Sequence, residues 1–306
     1  MKNSSPLQIK TISQFHKLRN LAEPEHPLVS VVNYGDMKLS DTDESGGLLF
    51  DFYLISVKKG LAAKLKYGQQ TYDHNNGVLS FMAPHQLLKI EKEDAPAKKR
   101  SGWLLLIHPD FIWNTALAKN IKSYEFFDYS ANEALFLSAK EETTLDNIIE
   151  NIQQEYHSNI DQFSKQIIIT HIENLLSYAE RFYNRQFITR NQDNHEILTR
   201  LEKIVTDSFT DENLLKAGIP TVQCVSEKLN ISPGYLGSLL KSLTGMNTQQ
   251  HIHEKLIEVA KEKLSTSNLS VSEIAYELGF EHSQSFSRIF KQKTKMSPLV
   301  FRASFN

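Results

Sequence analysis

Between residues 27 and 107, apolar and β-branched positions fall in short runs separated by turn pairs. LVSVVNY (28–34), LLFDFYLISV (48–57), LAAKLKY (61–67), GVLSFM (77–82) and GWLLLI (102–107) read as strands. Lys59-Gly60, Tyr67-Gly68 and Asn76-Gly77 mark turns between them. The last pair is the one two-residue hairpins favour, because both central residues need positive φ. A succession of short strands predicts a sandwich or small barrel, and this half reads as all-β. After Pro109 the apolar period lengthens to that of a helix, over about 133–157 and again over about 163–187. In the second stretch Ile168, Ile172, Leu175, Ala179 and Phe182 recur at intervals of three or four, and Ile169, Leu176 and Tyr183 widen the stripe. A stripe that wide suits two packing surfaces, one on the barrel and one on a second subunit; packing inside one monomer is the competing expectation. The polar run NRQFITRNQDNHE (184–196) is expected to hold a linker. Helix should resume near Glu196, and Gly218-Ile219-Pro220-Thr221 should interrupt it.

The last ninety or so residues carry one pattern twice. VQCVSEKLNISPGYLGSLLKSLTGMN (222–247) aligns with VSEIAYELGFEHSQSFSRIFKQKTKMS (271–297), matching Val225 to Ile274, Leu229 to Leu278, Ile231 to Phe280, Leu236 to Phe286, Leu240 to Phe290, Lys241 to Lys291, Thr244 to Thr294 and Met246 to Met296. The offset grows by one residue inside the turn, where insertion is tolerated. In the second copy Ser270 and Glu273 form a capping box that starts a helix. Gly279 then stands where the turn needs a left-handed residue, and its counterpart is Asn230, the next most tolerant type. Ser232-Pro233 reads as an N-cap followed by proline at the first helical position; the other second helix opens near Ser283. Both second helices pair a small, polar opening turn with an apolar back. Each copy therefore reads as a helix-turn-helix, a unit that sets its second helix into the major groove. Between the copies, 248–265 predicts an amphipathic rod of about 25 Å that would hold two reading helices about one DNA turn apart.

Length allows two domains. With 40% hydrophobic and 23% charged residues among 306, the composition is that of a globular protein, and no apolar run reaches the roughly eighteen residues of a membrane span. A single cysteine, Cys224, excludes an internal disulfide and fits a cytoplasmic setting. Net charge is −2, yet residues 280–306 hold five basic side chains (Arg288, Lys291, Lys293, Lys295, Arg302) against one acid, Glu281. A local basic cluster is what a phosphate-facing surface needs. A solvated helix face is the plain alternative, and a helical interaction scaffold that never touches DNA is a rival for the repeat.

SVSEIAYELGFEHSQSFSRIFKQKTKMSP, with the repeat before it, resembles the AraC/XylS family of bacterial transcription regulators over about 197–302. The resemblance implies an α+β chain: an N-terminal cupin-like β-barrel with C-terminal helices for sensing and dimerisation, then an all-α domain with two helix-turn-helix motifs. Mapped on this sequence, the first domain takes 1–190 (barrel about 27–108, helices about 133–187), the linker 191–196, and the DNA-binding domain 197–306, with motifs at about 221–245 and 271–295. Family positions that face DNA fall on Ser283, Gln284 and Arg288, with Ser287 beside the backbone, and in the first motif on Gly234, Gly237 and Ser238. Many relatives place larger polar or basic side chains at the glycine positions. Readout there would rest on Tyr235, Ser238 and DNA shape. Lys241, Lys291 and Ser232 are expected at phosphates, Ser232 being equally readable as a plain cap. Arg288 is expected to grip guanine, with a phosphate or Glu281 as its other partners. Expected partners are double-stranded promoter DNA, RNA polymerase, a second copy of the chain and a small-molecule effector.

Cupin-type barrels also serve metal enzymes, which makes a cupin enzyme with an appended DNA module the second rival. His74, His85 and His108 stand singly, and the one H-x-H pair, His251 and His253, falls on the rod, where residues two apart diverge. No metal, cofactor or catalytic residue is therefore expected. Phe50, Tyr53, Tyr67, Phe81 and Trp103 are candidate effector-binding residues, with ordinary core packing the alternative for each.

Overall fold

The computed structural model describes residues 6–38, 47–59, 77–88, 101–129, 133–158, 161–189, 191–210, 214 and 218–304. The chain divides into two compact units, Met1–Gln186 and Phe187–Asn306.

The first unit mixes strands and helices: β1 (Leu7–Ile9), α1 (Ile12–Leu18), β2 (Val29–Asn33), β3 (Leu48–Phe50), β4 (Tyr53–Lys59), β5 (Val78–Met82), β6 (Leu87–Leu88), β7 (Ser101–Ile107), α2 (Pro109–Ile112), α3 (Ala116–Asn120), β8 (Leu135–Phe136), α4 (Ala139–His157) and α5 (Ser164–Thr189), whose last turn enters the second unit. Four strand runs read from the pattern are present, and the run 48–57 is two strands. The run 61–67 and the Gly60, Gly68 and Asn76 turn positions lie outside the described residues.

Among the described residues the strands form two open sheets rather than a closed barrel. One is ordered β1-β3-β6 and the other β2-β7-β4-β5-β8. All pairs are antiparallel except β1 with β3, which is parallel. β7 is central in the larger sheet and is buried from Trp103 to Ile107 without alternation, which requires cover on both faces. On one face Val32, Leu54, Leu104 and Leu106 pack with Ile12 and Phe15 of α1 and Leu48 and Phe50 of the small sheet. The other face meets helices. Trp103 Nε1 donates to Asp146 of α4 at 2.8 Å, and the Val31 N–H donates to Tyr156 Oη at 3.1 Å.

This layering separates the candidate effector residues. Register pairs Ile55 with Phe81 and Val57 with Trp103, so Tyr53, Phe81 and Trp103 share the helix-side face. Phe50 lies in the core on the opposite face, and Tyr67 is outside the described residues. Tyr53 and Phe81 rings lie 5.2 and 5.3 Å from Phe127. Among the described candidates, Tyr53 and Phe81 are packed on Phe127, and Phe50 does not share their face.

The wide stripe of α5 is consumed within the monomer. Ile168, Ile169, Ile172, Leu175, Leu176, Ala179, Phe182 and Tyr183 are all buried, and Tyr183 stacks at 5.7 Å on Phe126. The expected second apolar face for a partner subunit is thus already covered. The exposed apolar residues of this region are Phe163, Ile167 and Ile188.

The second unit is helical: α6 (Asn191–Ser208), α7 (Val222–Leu229), α8 (Pro233–Thr244), α9 (Thr248–Thr266), α10 (Val271–Glu277), α11 (Ser283–Thr294) and α12 (Pro298–Ala303). The polar run expected to be a linker is helical except at Arg190, which lies outside the described residues: α5 continues to Thr189 and α6 starts five residues before Glu196. Polar residues of this run serve the fold: Arg185 pairs with Glu141, Gln186 is buried, and Asn194, also buried, donates to the Phe187 carbonyl. A single apolar core runs through α6 to α12 and includes Leu201, Leu229, Leu236, Leu256, Phe286 and Phe290. At about 1.5–3 kcal/mol for each large apolar side chain removed from water, this core is what holds short helices that would not persist alone.

Candidate nucleic-acid interface

The repeat seen in the sequence recurs in the turn and helix-end hydrogen bonds of both copies. In the first copy Thr221 caps α7 by accepting from the Cys224 N–H at 3.2 Å. In the second, Ser270 and Glu273 complete the expected capping box on α10, and hydrogen bonds from Ser270 hold the Glu273 carboxyl below its ordinary pKa. The turns then use left-handed residues, Asn230 at φ 60° and Gly279 at φ 83°. The apolar residue after each reaches back in the same way: Ile231 N–H to the Ser226 carbonyl at 3.1 Å, Phe280 N–H to the Ala275 carbonyl at 3.0 Å. Beyond the second helices the match resumes. Thr244 and Thr294 each donate to the carbonyl four residues back at 2.8 Å, and Gly245 and Lys295, both left-handed, donate to the Lys241 and Lys291 carbonyls.

The copies differ at two points. The extra residue of the second turn is Glu281, which places the N-cap at His282 where the first copy has Ser232. Ser232 accepts from the Tyr235 N–H at 3.3 Å, whereas His282 makes no capping hydrogen bond with its side chain. Gly279 also carries a demand that Asn230 does not show. A Cβ there would lie 3.0 Å from both Gly218 Cα and Ile219 N, so the second turn rests directly on the backbone that leads into the first motif.

Side chains expected to face DNA divide by exposure. Gln284, Arg288 and Lys291 of α11 and Lys241 of α8 are exposed, while Ser283, Ser287, Ser232, Gly234, Gly237 and Ser238 are half-buried. No carboxylate lies within ion-pair distance of Arg288 among the described residues, so Glu281 is not its partner. Tyr235 departs from its expected role: at 2% exposure its ring packs edge-on to Phe187, 5.1 Å away. Its large apolar ring gains more from burial than from a polar groove. A Cβ at Gly237 would meet nothing within 4 Å, so this position is open.

The basic tail is less free than its composition implies. Lys293 Nζ is 3.3 Å from Glu254 Oε1 on α9. Arg302 is half-buried, its Nε donating to the Leu264 carbonyl in the last turn of α9 at 3.2 Å. Both work on the fold, leaving Arg288, Lys291 and Lys295 exposed. No sequence signal separated these two groups, because only the three-dimensional packing sets a cation against a distant acid or helix end.

The rod between the copies, α9, has 19 residues, which gives about 28 Å. Ile252, Leu256, Ala260 and Leu264 are buried along it as expected, and Ile257 is buried where Val259 is only half so. His251 Nε2 lies 2.9 Å from Thr244 Oγ1 and His253 Nε2 2.9 Å from Gln249 Nε2, so the two rings take separate partners. Burial pushes both imidazoles below their ordinary pKa. Among the described residues, no cluster of His, Cys, Asp and Glu could hold a metal, and no helix is long and apolar enough to cross a membrane.

A helix-turn-helix domain family matches residues 225–304. The chain is 37% identical over 84 residues to the raffinose operon transcriptional regulatory protein RafR of Pediococcus pentosaceus, covering 28% of this chain and 30% of that protein. To the Msm operon regulatory protein of Streptococcus mutans it is 22% identical over 278 residues, 90% of this chain and 92% of that one. Among solved structures, the C-terminal domain of the two-component response regulator yesN from Fusobacterium nucleatum is 33% identical, covering 33% of this chain and 93% of that one, with a TM-score of 0.30. The chain thus spans less than a third of the length of RafR.

Proposed function

We propose that the chain is a sequence-specific DNA-binding transcription regulator of the AraC type with two reading helices per subunit, a reading supported by the helix-turn-helix match over residues 225–304 and the likeness to RafR. The observation that carries this reading is the duplicated hydrogen-bond scheme, α7–turn–α8 and α10–turn–α11, on the two sides of one rigid rod. A scaffold needs no second left-handed turn with the same backbone bond; two probes for successive major grooves do.

In this reading α11 supplies base contacts from Gln284 and Arg288, with Ser283 and Ser287 beside them, and Lys291 neutralises a phosphate. α8 presents Gly234, Gly237 and Ser238 with Lys241 at a phosphate, and Ser232 has its cap role as a second use of the same hydroxyl. Because glycine offers no hydrogen-bonding side chain, α8 reads chiefly DNA shape and leaves base discrimination to α11. The first unit, residues 1–190 in the family layout and cupin-like in kind, serves as a sensing and dimerisation domain. It binds a small-molecule effector that alters how the chain occupies two half-sites. The active species is a cytoplasmic homodimer on promoter DNA in contact with RNA polymerase.

Selection of bound sequences from a random DNA pool by the full-length protein tests the reading. A recovered motif with one well-defined block and one weaker block is the expected result. Recovery of no enriched sequence, together with no binding to random duplex at low salt, would favour the scaffold.

A further inference from the structure

A cavity of about 150 Å³ lies in the first unit, away from the candidate barrel aromatics, with Leu28, Phe111 and Ile168 among its walls. An apolar cavity of about this size accepts a single benzene ring. His26 and Lys165 are among the hydrogen-bond donors that line it. The His26 Nδ1 accepts from the Leu28 N–H at 3.1 Å, which leaves the proton of the neutral ring on Nε2. That N–H has no acceptor among the described residues, and burial pushes the imidazole below its ordinary pKa, towards the neutral form. Lys165 Nζ sits 6.0 Å from the Phe111 ring centre and 3.4 Å from the Trp113 carbonyl, with no carboxylate in ion-pair range among the described residues.

Of the two acids in the lining, Asp161 is already engaged. Asp161 Oδ1 accepts from the Phe163 and Ser164 N–H groups at 2.7 and 3.1 Å, which opens α5, and the positive end of that helix offsets its charge. Asp110 is exposed, and its Oδ2 lies 3.5 Å from a His108 Nδ1 that accepts from the Asp110 N–H, so its carboxylate has no donor there. What remains is an apolar slot with the exposed Lys165 ammonium and Asp110 carboxylate at its rim and one idle N–H donor on His26.

We propose that this cavity binds a small monocarboxylate with an apolar body the size of one ring, packed on Phe111 and Ile168 with its carboxylate between Lys165 and His26. Such a ligand would bridge α2, the segment before β2 and the first turns of α5. The proposal deepens the effector reading and rests on it for any effect on DNA, whereas occupancy is measured separately.

The test titrates the full-length protein with benzoate, benzylamine and benzyl alcohol, three probes with one ring and different charge, by calorimetry or ligand-observed NMR. Benzoate should bind saturably with a dissociation constant of about 1 mM or tighter, and the other two at least about tenfold more weakly. Lys165→Met should bring benzoate down to the level of benzyl alcohol, while Lys165→Arg should keep its affinity within about threefold. Benzylamine binding as tightly as benzoate, benzoate binding unchanged in Lys165→Met, or no saturable binding of any probe overturns the proposal. DNA affinity is measured on the same samples. Lys165-dependent benzoate binding supports the site whatever the DNA does, and constant DNA affinity in that case removes only benzoate's role as effector.

Discussion

Replacing Gly279 by alanine separates two demands that one residue meets. The first is conformational: at φ 83° a Cβ costs about 1–2 kcal/mol. The second is steric, because that Cβ would stand 3.0 Å from Gly218 Cα and Ile219 N, backbone atoms that cannot rotate away. Overpacking of this kind adds about 1–3 kcal/mol. Gly245→Ala is the control, since Gly245 lies at φ 76° in the same unit with nothing within 4 Å of its would-be Cβ. Gly279→Ala should therefore cost about 2–5 kcal/mol and Gly245→Ala only about 1–2 kcal/mol. Urea unfolding of the full-length protein followed by far-ultraviolet circular dichroism reads the difference as a shift in midpoint. Both tryptophans, Trp103 and Trp113, lie in the first unit, so their fluorescence reports separately on that unit. Equal midpoint shifts for the two variants would refute the close approach of the second turn to residues 218–219.

Arg288→Ala should lose about 1–3 kcal/mol on the preferred site and relax one base position, measured by competition with single-base variants of the selected DNA. Equal loss on all sequences would assign the guanidinium to phosphate. Lys241→Ala should weaken every sequence alike and lower the slope of log affinity against log salt by about 0.9. His282→Ser should restore the missing cap on α11 and raise stability by about 1 kcal/mol in urea unfolding; no gain would mean the imidazole already serves the helix. For His251 and His253 the folded pKa lies below the unfolded 6.5, so the unfolded state binds more protons on acidification. Their contribution is complete above pH 6.5 and falls as pH drops below it, and the double change to glutamine should flatten stability across that window.

Sequence periodicity exposed the helical unit in detail because its signals are local. Capping residues, left-handed turn positions and apolar spacing all lie within a few residues of the element they define, and Ser270–Glu273 and Gly279 behave as read. What escaped was non-local. β1 is three residues long and pairs in parallel with residues some forty positions away, which leaves no period to detect. The stripe of α5 was correctly located, but its width measures how many elements cover it and not whether they belong to another subunit. Tyr235 looked available because it stands at the polar opening of α8, and only its contact with Phe187 shows it turned inward. Lys293 and Arg302 share the basic run with Arg288 in sequence, but in the fold Glu254 and the end of α9 engage them.

The twin-probe claim is tested most directly by hydroxyl-radical footprinting of the full-length protein on its selected DNA. Two protected patches per subunit, about ten base pairs apart and on the same side of the duplex, are expected, with the patch under α11 lost first in Arg288→Ala. A single patch, or two patches on opposite sides, would contradict a pair of reading helices held apart by α9.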